Sequence, residues 1–156
     1  MSGSLLDEWV AKAEQDYRAA VTLDPDDTPD VICFHCQQCI EKYLKAAMVT
    51  RGIRVERTHD LLELKDLLYS GANSSLSSDA AAYGALFDDL DLLQGYAVNI
   101  RYPGTHAAAD EPRRALATMQ GLRTSLRCLL GLEAPQPPVV AEPSPEPSPD
   151  EQSEVT

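Results

Sequence analysis

The chain has 156 residues, 44% of them apolar and 6% aromatic, and a formal net charge of −12. That length supports one domain with a proper core and excludes two of ordinary size. The apolar runs are only a few residues long, which excludes a bilayer-crossing helix, and the charge excludes a protein drawn to nucleic acid by its global field.

The charge is unevenly spread. Residues 132–156 hold six of the 25 acidic residues and none of the 13 basic ones, which leaves the first 131 residues with 19 acids against 13 bases, a net of −6. Any contact with RNA therefore depends on local basic patches. The start, "MSGSLLDEWV", has no basic segment followed by an apolar stretch, so no secretory signal is expected. A cytoplasmic location is the corresponding expectation, with the four cysteines as reduced thiols.

In chain order, Leu6, Val10, Ala13, Tyr17 and Val21 recur at spacings of three and four, with Trp9 beside them. They predict a first helix, capped by Ser4 with Asp7 three positions on. "LDPDDTPD" breaks the pattern, and Thr28-Pro29 reads as an N-cap followed by proline at the first helical position. A second helix places Ile32, Cys36, Cys39, Ile40, Tyr43, Ala47 and Met48 on one stripe and stops at Gly52. Thr58 caps a shorter third helix with Leu61, Leu64 and Leu68 inward, and "SGANSSLSSD" follows as a loop. A fourth helix carries Tyr83, Leu86, Leu90, Leu93, Ala97 and Ile100 and ends near Tyr102, because Pro103 disfavours the α conformation before it. The fifth begins near Asp110-Glu111-Pro112, runs through Ala115, Met119, Leu122, Leu126 and Leu129, and stops by Gly131.

No alternating run calls for a strand. The predicted fold is all-α: an antiparallel up-and-down bundle of four long helices plus one short helix over residues 1–131, followed by a disordered acidic tail at 132–156. That tail holds seven of the eleven prolines, and it has too little apolar surface to offset the entropy of ordering it. A solvated tail is the simplest reading; a docking peptide, a scaffold that recruits partners, or an acidic mask over a basic patch is the functional one.

"CFHCQQC" brings Cys33, Cys36, Cys39 and His35 within seven residues. On a continuous helix, steps of three drift by about 60° around the axis, so the three thiols do not converge on one ion. A structural zinc site also wants four ligands from more than one segment. The cysteines are expected as small core residues, with no metal and no cofactor. His35 borders the same stripe and is expected to bond a neighbouring helix, while His59 belongs to the start of the third helix. Lys42, Lys45, Arg51, Arg54 and Arg57 gather on the outer face and exit of the second helix, and Arg113, Arg114, Arg123 and Arg127 lie along the fifth. Lys42, Lys45, Arg51, Arg54, Arg113 and Arg114 are candidate phosphate or RNA ligands; an ordinary solvated helix face explains them equally well.

"NIRYPGTH" ends the fourth helix with Arg101 and, five positions later, His106. An arginine at a helix C-terminus satisfies free carbonyls and the dipole there, and a loop histidine needs no special reason, so the pair alone is a weak signal.

Together with "FHCQQCIEKYLKA", from Phe34 to Ala46, and "THDLLELKDLL", that stretch resembles the HEPN family, small helical domains named for their occurrence in higher eukaryotes and prokaryotes as nucleotide-binding modules. The resemblance spans about residues 5 to 130 and implies a bundle of four to five helices. Many members are metal-independent RNases, several of them toxins paired with a minimal nucleotidyltransferase antitoxin, with a catalytic R-x4-6-H motif duplicated across a homodimer interface. By that resemblance Arg101 and His106 are the catalytic pair, RNA is the substrate, and a homodimer with a nucleotidyltransferase partner is the expected assembly. Tyr102 and Pro103 stand where the RNase members usually carry a small polar residue, and no tyrosine follows shortly after His106. The resemblance therefore also admits a non-catalytic module that binds a nucleotide or docks a nucleotidyltransferase.

Overall fold

The computed structural model describes residues 3–70, 88–97 and 99–132. The described residues form five α-helices and two short 3-10 turns, with no strand among them. Helix α1 spans Leu5–Thr22, α2 Pro29–Thr50, α3 Leu61–Ser70, α4 Leu90–Gln94 and α5 Glu111–Leu129. Of the expected loop at 70–79, Ser70 is the last residue of α3 and the rest lies outside the described residues, as do the first half of the fourth helix with Tyr83 and Leu86 and the acidic tail beyond Leu132.

The helix ends follow local chemistry. The Ser4 hydroxyl accepts from the Asp7 N–H at 3.2 Å while the Ser4 N–H donates to the Asp7 carboxylate at 3.0 Å, a closed capping box. Thr28 is the N-cap of α2, but its hydroxyl turns back to the Asp24 carbonyl and caps nothing in the helix. For α3 the capping side chain is Asp60, not the expected Thr58: its carboxylate accepts from the Leu62 and Glu63 N–H groups at 2.9 and 3.1 Å. Thr58 instead receives the Asp60 N–H and donates to Glu63. Gly52 and Gly131 close α2 and α5 with φ of 66° and 69°, the left-handed geometry of a helix stop.

The fourth helix differs from the sequence expectation. Its α-helical part ends at Gln94, and the chain continues as 3-10 turns at Gly95–Ala97 and Asn99–Arg101. Glycine weakens the helix at 95, and Pro103 denies Tyr102 the α conformation. Between them the backbone tightens into short three-residue turns.

Helix α2 is the axis of the fold and packs against every other described element. Its 22 residues, a rod of about 33 Å, include Ile32, Cys33, Cys36, Cys39, Ile40, Tyr43, Leu44, Ala46, Ala47 and Met48 in the core. Around it close Ala13 and Ala20 of α1, Leu61, Leu64 and Leu68 of α3, Leu90 and Leu93 of α4, and Ala115, Met119, Leu122 and Leu126 of α5. The stripe on α1 is Ala13, Asp16 and Ala20, and Val21 is exposed. Alanine at 13 and 20 lets the two long helices approach closely.

A helix enclosed on all sides also buries its polar residues, which must then be paired. Glu41, 2% exposed, takes the Lys45 ammonium at 2.8 Å, the His59 Nδ1 at 3.1 Å and the Gln38 amide at 3.1 Å. Gln37 donates to the His59 carbonyl, and the Lys45 ammonium lies over the Trp9 ring. One turn and a face away, Asp16 of α1 binds both His35, at 2.8 Å, and Lys42. Glu14 of α1 receives a bidentate pair from Arg123 at 2.7 and 2.9 Å and the Tyr43 hydroxyl.

Two outcomes follow. Glu41→Ala leaves the Lys45 charge buried without its counter-ion and should cost about 3–5 kcal/mol, read from a urea unfolding titration. Burial pushes the Cys33 thiol up to about 12 and those of Cys36 and Cys39 up as well. Iodoacetamide at about pH 8 should therefore label half-buried Cys128 in the folded protein and the other three only after denaturation. Mass spectrometry of the labelled peptides reads the order.

Candidate functional site

Arg101 closes the second 3-10 turn, and four residues of reverse turn carry the chain on to His106. Pro103 and Gly104 occupy the central positions of that turn, Gly104 at φ 93°, and the Thr105 N–H reaches the Tyr102 carbonyl at 3.4 Å. Proline then positive-φ glycine is the requirement of a type II turn. "RYPGT" is thus a defined reverse turn between the two candidate side chains.

Both side chains reach the surface, and both are held by the first turns of α2. The Arg101 guanidinium stacks over the Phe34 ring, 4.8 Å from its centroid. His106, 77% exposed, sets its Nδ1 at 3.1 Å from the Asp30 carboxylate. The other Asp30 oxygen accepts the Ala107 N–H at 2.7 Å, so one carboxylate fixes both the ring and the backbone beside it. Asp30 and Phe34 are four residues apart, hence neighbours on one face of the helix. A carboxylate accepts hydrogen bonds, so Nδ1 is the ring nitrogen placed to donate to Asp30.

Behind His106 lies a pocket of about 310 Å³ between α4, the 3-10 turns and the start of α5. Asp91, Leu92, Gly95, Tyr96, Asn99, Ile100, Thr105, His106 and Glu111 line it. Glu111 uses one carboxylate oxygen to hold the Ala108 N–H at 2.6 Å. The Tyr96 hydroxyl is sealed against the Cys33 thiol, and burial holds it well above the usual phenol range.

The candidate phosphate ligands scatter. Lys45 is 5% exposed and locked to Glu41, and Lys42 is bound to Asp16. Neither stands on an outer face, because α2 has almost none. Arg113 pairs with Asp26 at 2.9 Å and Arg114 lies 3.9 Å from Asp110. Arg51 is half-buried and Arg54 exposed past the far end of α2, away from the turn that holds Asp30. Arg123 and Arg127, also read as surface cations, turn onto Glu14 and Tyr43. His35 bonds the neighbouring α1, as expected.

Each polar or aromatic member of the motif from Phe34 to Lys45 thereby finds its contact. His35 and Lys42 serve Asp16, Gln37, Gln38 and Lys45 surround Glu41, and Phe34 carries Arg101. The HEPN domain family model matches residues 6–129, from the start of α1 to the end of α5. The chain belongs to the HEPN family. Among solved structures, this HEPN domain is similar to the crystal structure of TT1696 from Thermus thermophilus, with 23% identity and a TM-score of 0.62. The match covers 78% of this chain and 95% of that one, and at this identity the likeness is one of fold. No curated protein matches the sequence. No helix among the described residues is long and apolar enough to cross a membrane.

Asp30 and Tyr96 went unmarked in the sequence as site residues. Asp30 lies 76 positions from His106, and nothing local in "PDV" points to a distant imidazole. Its role gives a direct expectation. Asp30→Ala should speed hydrogen exchange at the Ala107 amide while barely moving global stability, measured by native-state exchange. Gly104→Ala should cost about 1–2 kcal/mol from the positive φ alone, since nothing lies within 4 Å of an added methyl group.

Proposed function

We propose that this HEPN domain is a metal-independent endoribonuclease of toxin–antitoxin or defence type that acts through Arg101 and His106. The observation that carries the reading is that both exposed side chains are held by Asp30 and Phe34, residues one turn apart on a rigid helix. RNA supplies its own nucleophile. The Nε2 of His106 takes the 2′-OH proton, the 2′-oxygen attacks the adjacent phosphorus, and the bond to the 5′-oxygen breaks. The leaving 5′-oxygen is protonated by the histidine of a second copy across a homodimer cleft. The products are a 2′,3′-cyclic phosphate and a 5′-OH. Arg101, always charged and forked to match phosphate oxygens, offsets the charge that builds on the pentacoordinate phosphorus. Asp30 stabilises the imidazolium formed in between.

A second reading has support from Tyr102, 65% exposed, and Val31, 44% exposed, on the residues next to Arg101 and Asp30. An apolar pair on an acidic body suits a docking face for a partner such as a minimal nucleotidyltransferase. Copurification with such a partner, unchanged by His106→Ala, distinguishes this role from cleavage.

The nuclease reading is tested with purified protein and single-stranded RNA in EDTA. Wild type should cleave, with cyclic phosphate ends by mass spectrometry. Arg101→Ala and His106→Ala should each lose about 100-fold or more in rate. Equal cleavage by all three proteins, or none by any, rejects it.

A further inference from the structure

We propose that Tyr102 is a stacking platform for an RNA base next to the phosphate held by Arg101, which makes the substrate of this site unpaired rather than duplex RNA. The proposal rests on the reading of Arg101 and His106 as a site for RNA, and it adds what that pair lacks, a contact with the bases.

The chain around Tyr102 fixes its place. It follows Arg101 directly and opens the type II turn, its carbonyl accepting the Thr105 N–H at 3.4 Å, one residue before His106. Pro103 confines the Tyr102 backbone to extended conformations. The Arg101 guanidinium lies back on Phe34, whereas Tyr102 is left 65% exposed. Among the other described aromatic residues the most exposed is Tyr69, at 38%. A tyrosine has two rotatable side-chain bonds, so ordering it against a ligand costs little entropy.

The local charge favours a contact of this kind. The cations at the start of α5 are occupied, Arg113 by Asp26 and Arg114 by Asp110. Asp30 and Glu111 hold Ala107 and Ala108 just beyond the turn and add negative charge there. Arg101 has no described carboxylate partner, but one guanidinium neutralises few phosphates, and counter-ion release then contributes little affinity. Stacking does not depend on charge. Every base offers a flat face, and one base on an aromatic ring tightens binding about tenfold or more. Bases in a duplex are stacked on one another, and A-form RNA shows a protein its groove and backbone. An exposed ring therefore engages a base that is free of pairing.

The test uses the full chain and uncleavable 2′-O-methyl dodecamers, a single-stranded oligouridylate and its duplex with oligoadenylate. Binding is read by fluorescence anisotropy across a potassium chloride series, with cleavage of the single-stranded ribonucleotide in parallel. The single strand should bind at least about tenfold more tightly than the duplex. Its slope of log K against log salt should be shallow, about −0.7 for each phosphate held. Tyr102→Ala should weaken that binding about tenfold and Tyr102→Trp should keep it, both at the wild-type slope, whereas Arg101→Ala should flatten the slope. Equal affinity for the two RNAs, no measurable binding, or binding untouched by Tyr102→Ala overturns the proposal. A Tyr102→Ala protein that changes its sedimentation or sheds a copurifying protein assigns the ring to a protein contact, which overturns it too. Cleavage whose KM is the same in wild type and Tyr102→Ala overturns the platform and leaves the nuclease reading standing. Ring-dependent binding without cleavage upholds the platform and removes the nuclease.

Discussion

The burial of α2 on all sides is the constraint from which the rest of this HEPN domain follows. A helix that packs against every other described element has little solvated face on which to park charge. Its glutamate, lysines, glutamines and histidine must each find a partner within the fold. Breaking one such pair leaves an uncompensated charge in a poor solvent for it. The Glu41–Lys45 pair at 2.8 Å and the Asp16 cluster on the opposite seam set how α1, α2 and the segment before α3 meet.

The same helix frames the candidate site. Its interior turns are sealed, but its first two reach the surface, where Asp30 and Phe34 act on the loop that follows α4. Asp30 and Phe34 there contact His106, the Ala107 N–H and Arg101. The Pro103–Gly104 turn supplies the remaining constraint, by fixing how the chain reverses between Arg101 and His106. Exposed side chains are commonly mobile. Here a ring and a carboxylate on one helical face orient both.

Charge has a corresponding division of labour. Most cations on α2 and α5 are neutralised inside the fold, by Glu41, Asp16 and Glu14. Arg101 stands out because its described support is an aromatic face rather than a carboxylate. A guanidinium so held keeps its charge uncompensated by any described carboxylate. On a domain with a net of −6 over its first 131 residues, that local field matters more than any global one.

Helical periodicity and turn chemistry were enough, in the sequence alone, for the all-α class, the helices α1, α2, α3 and α5, the core stripes on α2, α3 and α5, the capping box at Ser4 and the stops at Gly52 and Gly131. These depend on interactions between residues a few positions apart, which a linear reading captures. The family was legible for the same reason, since its motif is a run of local residues. The burial of Lys45 and the pairing of Lys42 with Asp16 were not, because a lysine looks identical in the sequence on a solvated face and on a sealed one. The unwinding at Gly95 and the exposure of Val21 likewise depend on what packs alongside. Only the tertiary structure could join Asp30 to His106 and Phe34 to Arg101, or enclose a pocket between α4 and α5. Those contacts connect segments tens of residues apart, and it is the packing of helices, not the order of residues, that sets such distances.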